Sequence, residues 1–173
     1  MTPDTESPAV PETPEDAFRH RRSCARAFAI QFLYQLDFQK SWSCTLEELT
    51  LFRENLGELD KGVPKQHHRK AWGAAVRMIE GACTHHCEID QLLSRAAANW
   101  DLSRMSGVDR SILRLGAYEI AFSDKVTAAT AINEAIELAK KFGHADSPRF
   151  INGVLDKVRR LCLSASGDVT SNQ

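Results

Sequence analysis

The spacing of the apolar residues constrains this chain most: they recur at three- and four-residue intervals over nearly its whole length. Ala25, Phe28, Ala29, Phe32, Leu33 and Leu36 fall at i, i+3, i+4, i+7, i+8 and i+11. Such positions stack on one face of an α-helix. Leu46, Leu49, Phe52 and Leu56 predict a second, shorter helix, and Gly57–Pro64 reads as an internal linker. Trp72, Ala75, Val76, Ile79 and Cys83 predict a third, continuing through Ile89, Leu92, Leu93, Ala96 and Trp100. Ser106-Gly-Val-Asp109 has the form of a capping box with Asp in place of Glu, opening a helix that buries Val108, Ile112, Leu115 and Ile120. Ile132, Ala135, Ile136 and Ala139 share a face of the next helix, which stops at Gly143. Ser147 as N-cap and Pro148 at the first helical position start the last, with Ile151, Val154, Leu155, Val158 and Cys162 inward. No alternating strand pattern of comparable strength occurs; Val126 to Ala131 is at most a short extended link. The expectation is an all-α chain of six or seven helices, divided near residue 100 into two small bundles packed together.

Both ends break this pattern. Pro3, Pro8, Pro11 and Pro14 sit among Asp4, Glu6, Glu12, Glu15 and Asp16, a composition that buries too little apolar surface to offset ordering entropy. Residues 1–17 are expected to form a disordered acidic tail, 18–163 a helical domain with parts at about 18–100 and 101–163, and 164–173 a second disordered tail. Five cysteines at irregular spacing fit free thiols in a reducing cytoplasm. No apolar run is long enough to span a bilayer, so no membrane association is expected.

The net charge of −1 announces no basic field, but the charges are not evenly spread. Arg19, Arg21, Arg22 and Arg26 follow the acidic tail with no acid among them. On a helix Arg19, Arg22 and Arg26 form a strip beside the apolar stripe, while Arg21 points elsewhere. Guanidinium groups in a row suit phosphate oxygens; the alternative is a solvated helix face. Phe142-Gly-His-Ala-Asp-Ser-Pro-Arg-Phe150 brings a helix N-terminus together with Asp146, Arg149 and Phe150. Helix N-termini attract phosphate and aromatic rings stack on unpaired bases; the alternative is a core Phe150 and a solvated Arg149. Cys83-Thr-His-His-Cys87 carries zinc-type ligands, yet no second ligand pair appears and no metal or other cofactor is expected. Asp37, Glu119, Asn133, Glu134, Glu137, Asp146 and Asp156 are spread over helix faces, where Asn133, Glu134 and Glu137 would cap or bridge helices. No nucleophile–base motif, Walker loop, GxGxxG or HExxH occurs, so no enzymatic activity is expected.

Several segments resemble the NusB family. Asp109-Arg-Ser-Ile-Leu-Arg-Leu-Gly-Ala-Tyr-Glu119 is similar to its "VDRAILRLALYEL" segment, and Ala131-Ile-Asn-Glu-Ala-Ile-Glu-Leu-Ala-Lys-Lys-Phe-Gly143 to "VINEAVELAKKFG". Phe150-Ile-Asn-Gly-Val-Leu-Asp-Lys157 resembles "FVNGVLDK". Arg21-Arg-Ser-Cys-Ala-Arg26 and Phe32-Leu-Tyr-Gln-Leu-Asp37 resemble the family's arginine-rich entry and "ALYQLD" helix. The likeness spans about residues 19–160 and is most specific after Leu102. It implies two three-helix subdomains and a complex with the ribosomal protein NusE. Together the two would bind boxA RNA of ribosomal RNA operon transcripts and, with other Nus factors, help RNA polymerase resist termination. By the same resemblance Arg22 and Arg26 fall in the RNA-binding arginine motif. Asp146, Arg149 and Phe150 fall in a second RNA-contacting patch, and Tyr34, Asp109 and Phe142 on the NusE surface. Ser23, Cys24 and Ala27 depart from the family pattern, as does the acidic proline-rich tail.

Two other functions compete. One is a protein-only helical adaptor in ribosome biogenesis or transcription. The other is the NusB-like accessory domain of a ribosomal RNA cytosine methyltransferase, disfavoured because no cofactor-binding domain or catalytic cysteine motif accompanies it here.

Overall fold

Thr13 sets where the first helix starts. In the computed structural model, which describes residues 13–56 and 65–167, its hydroxyl accepts a hydrogen bond from the Asp16 N–H at 3.1 Å. Helix α1 then runs over Pro14–Gln39. The helix therefore begins inside the segment expected as tail, at Pro14. Pro14 and the acids Glu15 and Asp16, read as marks of a tail, are the residues that favour a helix's first turn. Residues 1–12 and the expected linker at Gly57–Pro64 lie outside the described residues.

Six further helices follow among the described residues: α2 Leu46–Asn55, α3 Lys65–Thr84, α4 His86–Ala96, α5 Gly107–Ala121, α6 Ala128–Phe142 and α7 Ser147–Gly167. No strand occurs among these residues. The last helix passes the expected boundary at 163, and the Ser164 hydroxyl donates to the Arg160 carbonyl within it. Residues 168–173 lie outside the described residues.

The predicted stripe of α1 is buried at all six positions. In α2, Leu49 and Leu56 are buried and Phe52 packs edge-on to Phe32, but Leu46 is 81% exposed because the first turn does not reach the core. The long third helix divides at His85, and its expected extension ends at Ala96. Trp100 lies beyond it, 64% exposed instead of in the core. Ser106 caps α5 through the Asp109 N–H as expected. Ser147 does not cap α7; it is the first helical residue, and its buried hydroxyl accepts from the His144 N–H.

Helix α5 is the hub. It touches α1, α3, α4, α6 and α7, which is why so few of its side chains reach solvent. At Gly116 an added Cβ would stand 2.6 Å from Leu155 Cδ1, so glycine sets how closely α5 approaches α7. Helices α1 and α3 pack on each other as well as on α5, and so do α6 and α7. Helix α4, which precedes residue 100, has its main neighbours in α5 and α7.

Candidate nucleic-acid interface

The four arginines of α1 meet different fates. Arg19 is exposed and pairs with exposed Glu15 one turn earlier, at 3.1 Å. Arg21 and Arg22 are half-buried. Arg22 stands 3.7 Å from Glu119, and burial, together with the positive charge of Arg26, lowers its pKa. Arg77 of α3 is among the charges acting on Arg22, a neighbour that one-helix spacing could not reveal.

Arg26 is only 2% exposed. Its guanidinium donates two 2.9 Å hydrogen bonds to the Glu119 carboxylate, and Glu134 accepts a third at 3.3 Å. Glu134 also accepts from the Ser23 hydroxyl. The Arg26 donors face inward, toward acids, and join α1 to α5 and α6. Exposing them would leave the Glu119 carboxylate buried without its main partner, a costly state.

The second predicted patch forms one wall of a cleft of about 780 Å³. Asp146, Arg149 and Phe150 come from the start of α7; Trp100, Arg104 and Met105 come from the α4–α5 connection opposite. The Trp100 and Phe150 rings meet at 5.5 Å in an edge-to-face pair. Lys157 lines the same cleft two turns along α7, and it, Arg104 and Arg149 make no ion pair among the described residues. Trp100, Arg104 and Lys157 escaped the sequence reading; a tryptophan four residues past a helical stripe looks like more stripe.

The predicted partner surface divides. Tyr34, 46% exposed, and half-buried Phe142 come together with Ile30 and Val108 around a hollow of about 180 Å³. The Tyr34 ring lies over Gly107, where an added Cβ would come within 2.6 Å of it. Asp109 lines the cleft instead. It is 9% exposed, and its Oδ1 has no hydrogen-bond partner.

A polar network ties the hub helix to its neighbours. Arg114 donates to both Asp90 oxygens and to Asp37, and its guanidinium lies 4.5 Å from the Trp42 ring. Trp42 stacks on His86, and Arg110 also donates to Asp37. Burial would raise the Asp37 carboxyl, but these two arginines outweigh it and hold its pKa below the usual range. The zinc-type cluster is drawn elsewhere: His86 meets Asp90, while burial and the neighbouring Cys44 push the Cys83 thiol up to about 12. Among the described residues no three His, Cys, Asp or Glu side chains are placed to hold a metal. No helix there is long and apolar enough to cross a membrane.

The arrangement is that of a small all-helical binding protein with a basic helix edge and an aromatic cleft. A family model, the NusB family, matches residues 23–160. A relative from Desulfotalea psychrophila, "Transcription antitermination protein NusB", is 43% identical over 82% of this chain and 96% of its own length. The solved structure of T. maritima NusB superposes with a TM-score of 0.63 at 32% identity, covering 80% of this chain and 90% of that one. A crystal structure of antitermination factors NusB and NusE with double-stranded RNA matches at a TM-score of 0.66 and 25% identity, over 82% of this chain and 98% of that one. The chain belongs to the NusB family.

Proposed function

We propose that this chain is a non-enzymatic transcription antitermination factor of the cytoplasm. It binds boxA-type single-stranded RNA of ribosomal RNA operon transcripts together with NusE. With other Nus factors it helps RNA polymerase resist termination. The observation that carries the reading is the cleft, where Arg149 and Phe150 stand beside Trp100 and Arg104 in a NusB-family chain. Stacking surfaces flanked by cations are the elements from which single-strand binding sites are built. RNA would enter along Arg19, Arg21 and Arg22 and continue into the cleft, while the Tyr34–Phe142 hollow receives NusE. The relative solved with NusE and RNA supports both partners.

The competing reading, a protein-only adaptor, draws on the burial of Arg26, which removes one cation from the arginine edge. Titrating a fluorescent boxA RNA with the chain alone, and with the chain plus NusE, separates the two. Salt-sensitive binding that tightens with NusE is expected. A chain that binds NusE while neither it nor the complex binds RNA would leave the adaptor standing.

A further inference from the structure

The segment matched by the family model begins at residue 23, but α1 begins at Pro14. The turns between carry Arg19, Arg21 and Arg22, three of the four arginines in this stretch of α1. Ahead of them, residues 1–12, which lie outside the described residues, hold Asp4, Glu6 and Glu12 and no Lys or Arg. The acidic run continues into the helix with Glu15, whose carboxylate accepts a hydrogen bond from the Arg19 guanidinium at 3.1 Å. One acid of this run therefore already occupies an arginine of the edge. Arg19 stays largely exposed, and a guanidinium carries more N–H donors than one carboxylate can take, so donors are left for a second. Reach is no obstacle. Twelve residues extend to about 40 Å at most, and Arg22 lies only about 12 Å along the helix from Pro14.

We infer that the arginine edge of α1 is a docking surface for residues 1–12 of this same chain, whose carboxylates stand where RNA phosphates would and are displaced when RNA binds. This rests on the RNA-binding reading above. A carboxylate and a phosphate offer a guanidinium the same thing, anionic oxygens spaced for a forked pair of N–H donors. Covalent attachment holds the acids beside the arginines at an effective concentration on the order of millimolar. Each contact is weak, because the partners are exposed and salt screens them. The segment therefore does not block the edge. It lowers the affinity of every RNA that uses the edge by a common factor, and that factor fades as salt rises. NusE binding is left alone, since Tyr34 and Phe142 lie further along α1 and at the end of α6.

The test keeps the chain at full length. One variant combines Asp4→Asn, Glu6→Gln and Glu12→Gln. A control makes the same change of net charge at exposed acids on other elements, Glu54→Gln, Glu88→Gln and Asp124→Asn. Both are titrated with fluorescent boxA RNA in the presence of NusE. At an ionic strength of about 0.1 M the Debye length is about 10 Å, so acids remote from the edge are screened while contacts on it persist. There the first variant should bind RNA about 2- to 5-fold more tightly than the wild type, and the gain should shrink as salt is raised. The control should gain less than about 1.5-fold, and all three proteins should bind NusE equally. Without RNA, the side-chain Nε–Hε NMR signals of Arg19, Arg21 and Arg22 should shift between the wild type and the first variant, while that of Arg149 stays in place. Absence of RNA binding in all three proteins would refute the RNA-binding reading itself. RNA bound equally by the wild type and the first variant, with the arginine signals unmoved, would refute the docking alone. An equal gain in the control would reduce the effect to net charge, and arginine shifts that grow with protein concentration would place the segment on a second copy; either overturns the inference.

Discussion

Arg26 and Arg149 are equally basic in the sequence and opposite in the structure. Arg26 lies in the seam between α1, α5 and α6, with its donors taken by Glu119 and Glu134. Arg149 lies at the cleft mouth, exposed and without an ion pair among the described residues. An arginine's function therefore depends on whether the fold delivers a carboxylate to it. Where it does, the residue serves stability; where it does not, the positive charge is left for an anion from outside.

The sharpest way to break this comparison is to remove the seam's acid. Glu119→Ala leaves the buried Arg26 with Glu134 alone, and loss of one partner of a buried pair costs about 3–5 kcal/mol. For a chain of this size that lowers Tm by about 6–20 °C in a calorimetric scan. Arg149→Ala should move Tm by no more than about 2 °C, since exposed substitutions stay within about 0.5 kcal/mol.

The Asp37 network should respond to acid. Its carboxyl is held below the usual range when folded, so its contribution is fully present above the ordinary carboxylate pKa of about 3.9 and is lost as pH falls through the lower, folded value. Asp37→Asn should cost about 1–3 kcal/mol at neutral pH, the range for lost hydrogen bonds to charged groups. Denaturant titrations at several pH values below about 4 should show a shallower acid decline in the variant than in the wild type.

On the cleft side the effects are on binding. Arg149→Ala and Arg22→Ala should each lower the log–log salt slope for RNA by up to about one unit, with Arg149 the larger because Arg22 already faces Glu119. Arg26→Ala, measured below its unfolding transition, should leave the slope unchanged. A slope that fell equally in all three would erase the distinction between seam and cleft.

The smallest effect is expected at Glu15, which competes with phosphate for Arg19. Glu15→Gln should tighten RNA binding at low salt by no more than about five-fold, the upper worth of an exposed pair, and the gain should vanish near physiological salt. Identical affinities at low salt would show that this pair does not restrain Arg19.

The helices were legible because their signal is local. The stripe from Ala25 to Leu36 needs only its own spacing to be read, and it is buried throughout. Trp100 was misread for the same reason: it continues the spacing from Ala96, but the helix stops before reaching it. The fate of Arg26 was not legible because its acids stand 93 and 108 residues away, and no local pattern encodes which distant carboxylate will arrive. Asp146, Arg149 and Phe150 were legible as a group because they are neighbours in the chain. The opposite wall of their cleft comes from another connection, and only packing joins the two.

The 93-residue span of the Arg26–Glu119 pair also bears on how the protein is made. During synthesis the first helix emerges with an apolar face and a guanidinium whose chief partner is still untranslated. At about 5–20 residues per second, Glu119 follows Arg26 by several seconds or more. The nascent chain must cross that interval with α3 as the main cover of its first helix and the α5-facing side still bare, and it is then, before the hub helix arrives, that a chaperone or a neighbouring chain would compete for that side.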